Sequence, residues 1–109
     1  MPPTQELLLI QEEVSKRFKP SNPITEAIAK KLAKTIYQQR RCEYLIDFAR
    51  SVPTRKLDEL PLERQSMFRK NLRKLTEKLQ ELKRNTRVYS ESLNAETQAP
   101  QERGAEIKL

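Results

Sequence analysis

The spacing of apolar residues between positions 60 and 89 constrains this chain more than any other feature. Phe68, Leu72, Leu75, Leu79, Leu82, Thr86 and Tyr89 follow one another at alternating steps of four and three. That spacing belongs to a helix that buries one narrow seam against another helix. Around the seam stand Arg64, Arg69, Lys70, Arg73, Lys74, Lys78, Lys83, Arg84 and Arg87, opposed only by Glu63, Glu77 and Glu81. One side of the segment is therefore a packing device, and the rest is a strongly cationic surface.

The rest of the chain offers that seam helical partners. Thr4 caps a first helix over about residues 4–19, with Leu7, Ile10, Val14 and Phe18 on one face and Pro20 as its stop. Asn22 followed by Pro23 is a helix start, because the Asn side chain accepts a backbone N–H and Pro has none to leave unsatisfied. Nothing breaks the second helix from residue 23 to about 50. Its apolar set reads Ile24, Ile28, Leu32 and Ile36, then Tyr44, Leu45, Ile46 and Phe48. Gln39, Arg40 and Glu43 interrupt that set and project where Leu32 and Ile36 do. They are either a polar layer that fixes register or a patch that contacts a partner.

A short charged connector from Arg55 to Glu59 makes the second helix and the 60–89 helix antiparallel neighbours. With the first helix covering the open side, the expected fold is all-α. It is a small helical bundle of three helices, at about 4–19, 23–50 and 60–89, built on a long antiparallel hairpin. The single Gly argues against the tight turns of a sheet. From Ser90 the periodicity stops, so 1–89 is expected to be the bundle and 90–109 a disordered tail that buries nothing.

Charge is distributed unevenly along the 109 residues. The 60–89 segment carries nine basic against three acidic side chains, +6 of the total +7, and 23–50 carries six against three. Segments 1–22 and 51–59 are balanced, and the stretch from Ser90 is net −2. A concentrated excess of this kind is an electrostatic footprint for a polyanion, most often nucleic acid. Arg69, Lys70, Arg73, Lys74, Arg84 and Arg87 lie away from the Leu seam, and Lys30, Lys34 and Arg41 lie opposite the first-half stripe of the second helix. These nine are the expected nucleic-acid-binding residues. Few aromatics are free for base stacking, so the expected mode is backbone contact with little sequence reading.

Catalysis finds no support in the sequence. There is no His for acid–base work at neutral pH, and the lone Cys42 has no His to activate it. A zinc site lacks soft ligands, a glycine-rich phosphate loop is missing, and no cofactor or small-molecule substrate is expected. No run approaches a membrane span and nothing resembles a signal peptide, so a cytoplasmic location is expected. A core this thin favours self-association or docking into a larger assembly.

The Leu60–Asn85 helix together with the Ile24–Phe48 helix resembles, over about residues 4–89, the small helical subunits of multi-subunit CRISPR effector complexes. The likeness is one of size, charge and layout. It implies a compact basic bundle that contacts nucleic-acid backbone inside a ribonucleoprotein complex and stabilises the guide–target duplex or the displaced strand. The run Arg41, Leu45, Ala49 followed by Leu57-Asp58-Glu59-Leu60-Pro61-Leu62-Glu63 is similar to the helical domain of GINS replication subunits. That family tends to carry more basic residues where this chain has Glu43 and Tyr44, and its usual small β domain is not in this sequence. The contrasting expectation is a structural adaptor, or a helical oligomer, whose seam binds protein helices while its basic face is merely solvated.

Overall fold

The computed structural model describes the backbone from residue 3 to 108 and the side chains from residue 4 to 96. The fold is all-α, with four helices in chain order and no strand among the described residues. Helix α1 spans Pro3–Phe18, α2 Pro23–Arg50, α3 Thr54–Asp58 and α4 Leu62–Lys108.

Local chemistry sets each boundary. Pro20 disfavours the right-handed helical conformation in the residue before it. Lys19 accordingly turns to φ 47° while its N–H still donates to the Ser15 carbonyl at 2.9 Å. Helix α2 opens on a reciprocal cap. The Asn22 Oδ1 accepts the Thr25 N–H at 2.8 Å, and the Thr25 Oγ1 accepts the Asn22 N–H at 3.1 Å. A cap of this kind contributes about 1 kcal/mol. Thr25 also accepts the Ser21 N–H, so a fully buried hydroxyl ties the turn to the helix.

The charged connector contains a helix of its own, the five-residue α3, which the sequence pattern does not announce. Pro53 begins it, its carbonyl accepting the Lys56 N–H at 3.0 Å. Gln65 then donates to the Leu60 carbonyl at 2.8 Å and so fastens the turn to the first coil of α4. Helix α4 begins at Leu62 because Pro61 stands just before it, its carbonyl accepting the Arg64 and Gln65 N–H groups.

Helices α2 and α4 run antiparallel. Cys42 meets Leu75, whereas Gln39, earlier on α2, meets Thr86, later on α4. Helix α1 packs along α2, with Glu13 reaching Arg40 in its second half, and more lightly on α4. Two apolar clusters result. The first joins Ile10, Val14, Ala29, Leu32, Ala33 and Leu93, with Phe18, Ile28, Ile36, Tyr37 and Tyr89 around it. The second joins Cys42, Ile46 and Leu82, with Leu72, Leu75 and Leu79. The molecule is thus a three-helix bundle at one end and a bare two-helix hairpin at the other.

Gln39, Glu43 and Thr86 separate the clusters. Gln39 Nε2 donates to Glu43 Oε1 at 3.2 Å, and the Thr86 hydroxyl stands 3.1 Å from Gln39 Oε1 and 2.9 Å from the Leu82 carbonyl. One proton serves either acceptor in turn. The interrupted stripe is therefore a satisfied polar layer between α2 and α4, which resists register slip because a shift would bury unpaired amide groups. Arg40 stands outside it, exposed and 3.8 Å from Glu13.

Three expectations need correction. The seam does not end at Tyr89: the next step of four falls on Leu93, which is wholly buried in the first cluster. Ser90–Glu96 therefore belongs to the packed part of α4, and the bundle does not stop at residue 89. The remainder of the expected tail, residues 97–109, lies outside the residues described side chain by side chain. On α2, the buried residues are Thr25, Ala29, Leu32, Ala33, Thr35, Cys42 and Ile46, with Ile36, Gln39 and Glu43 half-buried among them, whereas Ile24, Tyr44, Leu45 and Phe48 are exposed. Apolarity alone assigned those four to the core. Several of the buried side chains are small or polar, and Thr25, Thr35 and Cys42 each make a hydrogen bond there.

Candidate nucleic-acid interface

The nine cations read from the sequence are all exposed. The structure does not bring them to one surface. Lys30, Lys34 and Arg41 stand on α2 opposite its buried row, and so point away from α4. Lys70, Arg73, Lys74, Arg84 and Arg87 stand on α4 away from its own seam, and so point away from α2. Arg69 lies beside the seam. The hairpin therefore carries two basic faces, back to back, with the apolar clusters between them.

The α4 face is densest at Arg69, Lys70, Arg73 and Lys74, within two turns near the hairpin tip. Together with Leu62, Gln65 and Ser66, three of these line an open depression along the helix. The pairs Arg69–Arg73 and Lys70–Lys74 are like charges at i,i+4, each costing the helix a few tenths of a kcal/mol. Among the described residues none of the four makes an ion pair with a carboxylate, although Glu77 stands four residues after Arg73. Glu81 turns instead to Lys78, 3.5 Å away, and neither Glu77 nor Glu81 pairs with Arg73, Lys74 or Arg84. Four guanidinium and ammonium groups are thus left to solvent with every donor available.

Cys42 is buried under this surface rather than on it. Its thiol donates to the Leu75 carbonyl at 3.2 Å. Burial pushes its pKa above the ordinary thiol value, Lys78 pulls it down and Glu43 pushes it up. The group is a protonated hydrogen-bond donor at neutral pH. Because its folded pKa is the higher one, its stabilisation is complete below the ordinary thiol range and is lost as pH rises through the folded value. A chromogenic disulfide reagent is expected to modify native Cys42 at least an order of magnitude more slowly than the denatured chain. Equal rates would place the thiol at the surface.

No protein-family model, curated protein or solved structure matches the chain. Among the described residues, no three His, Cys, Asp or Glu side chains gather as a metal site, and no helix is long and apolar enough to cross a membrane.

One feature of the surface is missed by reading the sequence for apolar residues alone. Positions 30, 34, 37, 41, 44 and 48 also follow steps of four and three. They form a second row on α2, on the side away from α4, and it holds Lys30, Lys34, Tyr37, Arg41, Tyr44 and Phe48, of which Tyr37 is half-buried against the first cluster. Tyr44 and Phe48 are each 64% exposed. A period search run on basic and aromatic residues together would have found this row.

Proposed function

We propose that this protein is a non-catalytic, basic helical subunit that contacts nucleic-acid backbone within a larger ribonucleoprotein assembly. The observation that carries the reading is the group Arg69, Lys70, Arg73 and Lys74, exposed on adjacent turns without a carboxylate partner among the described residues. A helix that holds four uncompensated cations in two turns is less stable than one with interspersed acids. A phosphate backbone supplies the missing counter-charge and releases condensed cations as it does so. The thin two-helix end supports the second half of the proposal, since a larger assembly would cover it. The CRISPR effector small subunit remains the kind of role this layout resembles.

The test is affinity for nucleic acid measured across a salt series. Changing Arg69, Lys70, Arg73 and Lys74 together to Gln is expected to weaken binding about equally for every sequence. It should also flatten the salt slope by about 3 for a single strand, at roughly 0.7 for each phosphate no longer neutralised. Helicity should persist, because Gln is nearly as good a helix former as Lys or Arg. The control changes Lys16, Arg17 and Lys19 to Gln, three charges against four, and is compared per charge removed. Equal losses from both sets would reduce the effect to net charge. Unchanged binding in the first set, with helicity intact, would leave the chain as a protein-binding adaptor with a solvated basic face.

A further inference from the structure

Resting on the reading above, we infer that the outer row of α2 is a track for single-stranded nucleic acid, with Tyr44 and Phe48 as its stacking platforms. Lys30, Lys34, Tyr37, Arg41, Tyr44 and Phe48 occupy one face of the helix at alternating steps of four and three. From the first to the last of them is about 27 Å of helix at 1.5 Å per residue. All except the half-buried Tyr37 are exposed.

The row differs from an ordinary solvated face in two respects. It presents two large rings, with Leu45 beside them, although neither ring serves either apolar cluster. Its own positions also carry no carboxylate, although Glu6 of α1 lines one depression with Arg40, Arg41 and Tyr44. Glu43 and Asp47 are on neighbouring rows, and Glu43 is held by Gln39. Cations and rings thus share one stripe, which is the combination that binds a strand through its phosphates and its base faces at once.

Three considerations select a single strand over other occupants. Bases inside a duplex are stacked on each other, so rings on a convex helix cannot reach their faces unless the strand is unpaired. A docking protein helix wants an unbroken apolar row with charges at its margins. Here Arg41 sits inside the row, between Tyr37 and Tyr44, where such a helix would have to desolvate it. Tyr44 and Phe48 are also one turn apart, about 6 Å along the axis, which leaves room for a base on each ring of an extended strand. The polyanion complement and the aromatic surface therefore point to the same ligand. This row faces away from Arg69, Lys70, Arg73 and Lys74, so the two can be tested separately.

The experiment uses the full chain and fluorescently labelled homopolymer oligonucleotides of about 15 nucleotides, the upper range of a single binding module, beside a hairpin duplex. Tyr44→Ala and Phe48→Ala are each expected to weaken single-strand binding roughly tenfold, leaving duplex binding and the salt slope unchanged, because no charge is removed. Arg41→Gln should flatten the slope instead. Tyr44→Trp places a lone indole in a chain that has none, and its fluorescence should be quenched by the single strand and not by the duplex. Both rings are exposed, so circular dichroism should be unaltered in every variant. If Tyr44→Ala and Phe48→Ala bind single strands as the unchanged chain does, the track is overturned while the basic-face reading stands. A change in oligomeric state without a change in affinity would overturn it in favour of a protein interface. If the unchanged chain binds neither form at any salt concentration, both readings fail together.

Discussion

A chain cut after Tyr89 is expected to lose most of its helical signal at temperatures where the full chain is folded. The cut removes Leu93, whose side chain is 0% exposed and lies among Ile10, Val14, Ala29, Leu32 and Ala33. Among the described residues, it is the one α4 side chain fully buried in that cluster. Without it, α1 and the first half of α2 lose the third wall of their core. Truncating a buried Leu to Ala costs about 2–5 kcal/mol, against a total stability of about 5–15 kcal/mol for an ordinary domain. At about 4–8 °C per kcal/mol for a chain of this size, Leu93→Ala in the full chain should lower Tm by at least about 10 °C. The truncation should cost more, because it also removes the last packed turn. Glu91→Ala, exposed on the same stretch, should change stability by no more than about 0.5 kcal/mol. A Tm unmoved by Leu93→Ala would mean that the seam does end at Tyr89.

The change of composition along α4 conceals this position in the sequence. Ser90, Glu91, Ser92, Asn94 and Glu96 surround Leu93, and a polar stretch with Pro100 and Gly104 beyond it reads as a tail. One apolar residue does not make a periodicity. It was legible only as the continuation of a register already set by Phe68 through Tyr89, since each step of four and three predicts the next. Helix α2 taught the converse lesson. Its start was fixed by Asn22 and Pro23 because capping is local chemistry. Its buried face was not, because Thr25, Ala29, Gln39 and Glu43 are chosen for close approach and hydrogen bonding rather than for apolarity. Side-chain type points Tyr44 and Phe48 inward, although their spacing from Lys30, Lys34 and Arg41 puts them on the outer row. The basic residues could be named from the sequence, but their division between two opposed faces depends on which side of each helix packs. That follows from the pairing of α2 with α4.

Replacing Leu82 with Asp is expected to melt the two-helix end, and more completely than the same change at Leu75. The seven-residue repeat treats the two positions alike. The packing does not, because Leu82 is 4% exposed beside Cys42 and Ile46 whereas Leu75 is half-buried near the edge of that cluster. A carboxylate at position 75 has a route to water, so part of its hydration survives. At position 82 it enters a site whose neighbours are a protonated thiol and aliphatic side chains. The polar side chains of the adjoining layer, Gln39, Glu43 and Thr86, are already engaged with one another. Burying an unpaired charge there costs more than about 4 kcal/mol, a large share of what holds a small domain together. The pH dependence supplies a second readout. Desolvation would raise the pKa of the new carboxyl in the folded chain above its unfolded value, so the folded state binds the extra proton and the variant should regain stability as pH falls toward the ordinary carboxylate range. Thermal melts of Leu82→Asp and Leu75→Asp at neutral pH and near pH 4 test both statements. Equal melting temperatures for the two variants, with no recovery in acid, would mean that Leu82 is not enclosed between α2 and α4.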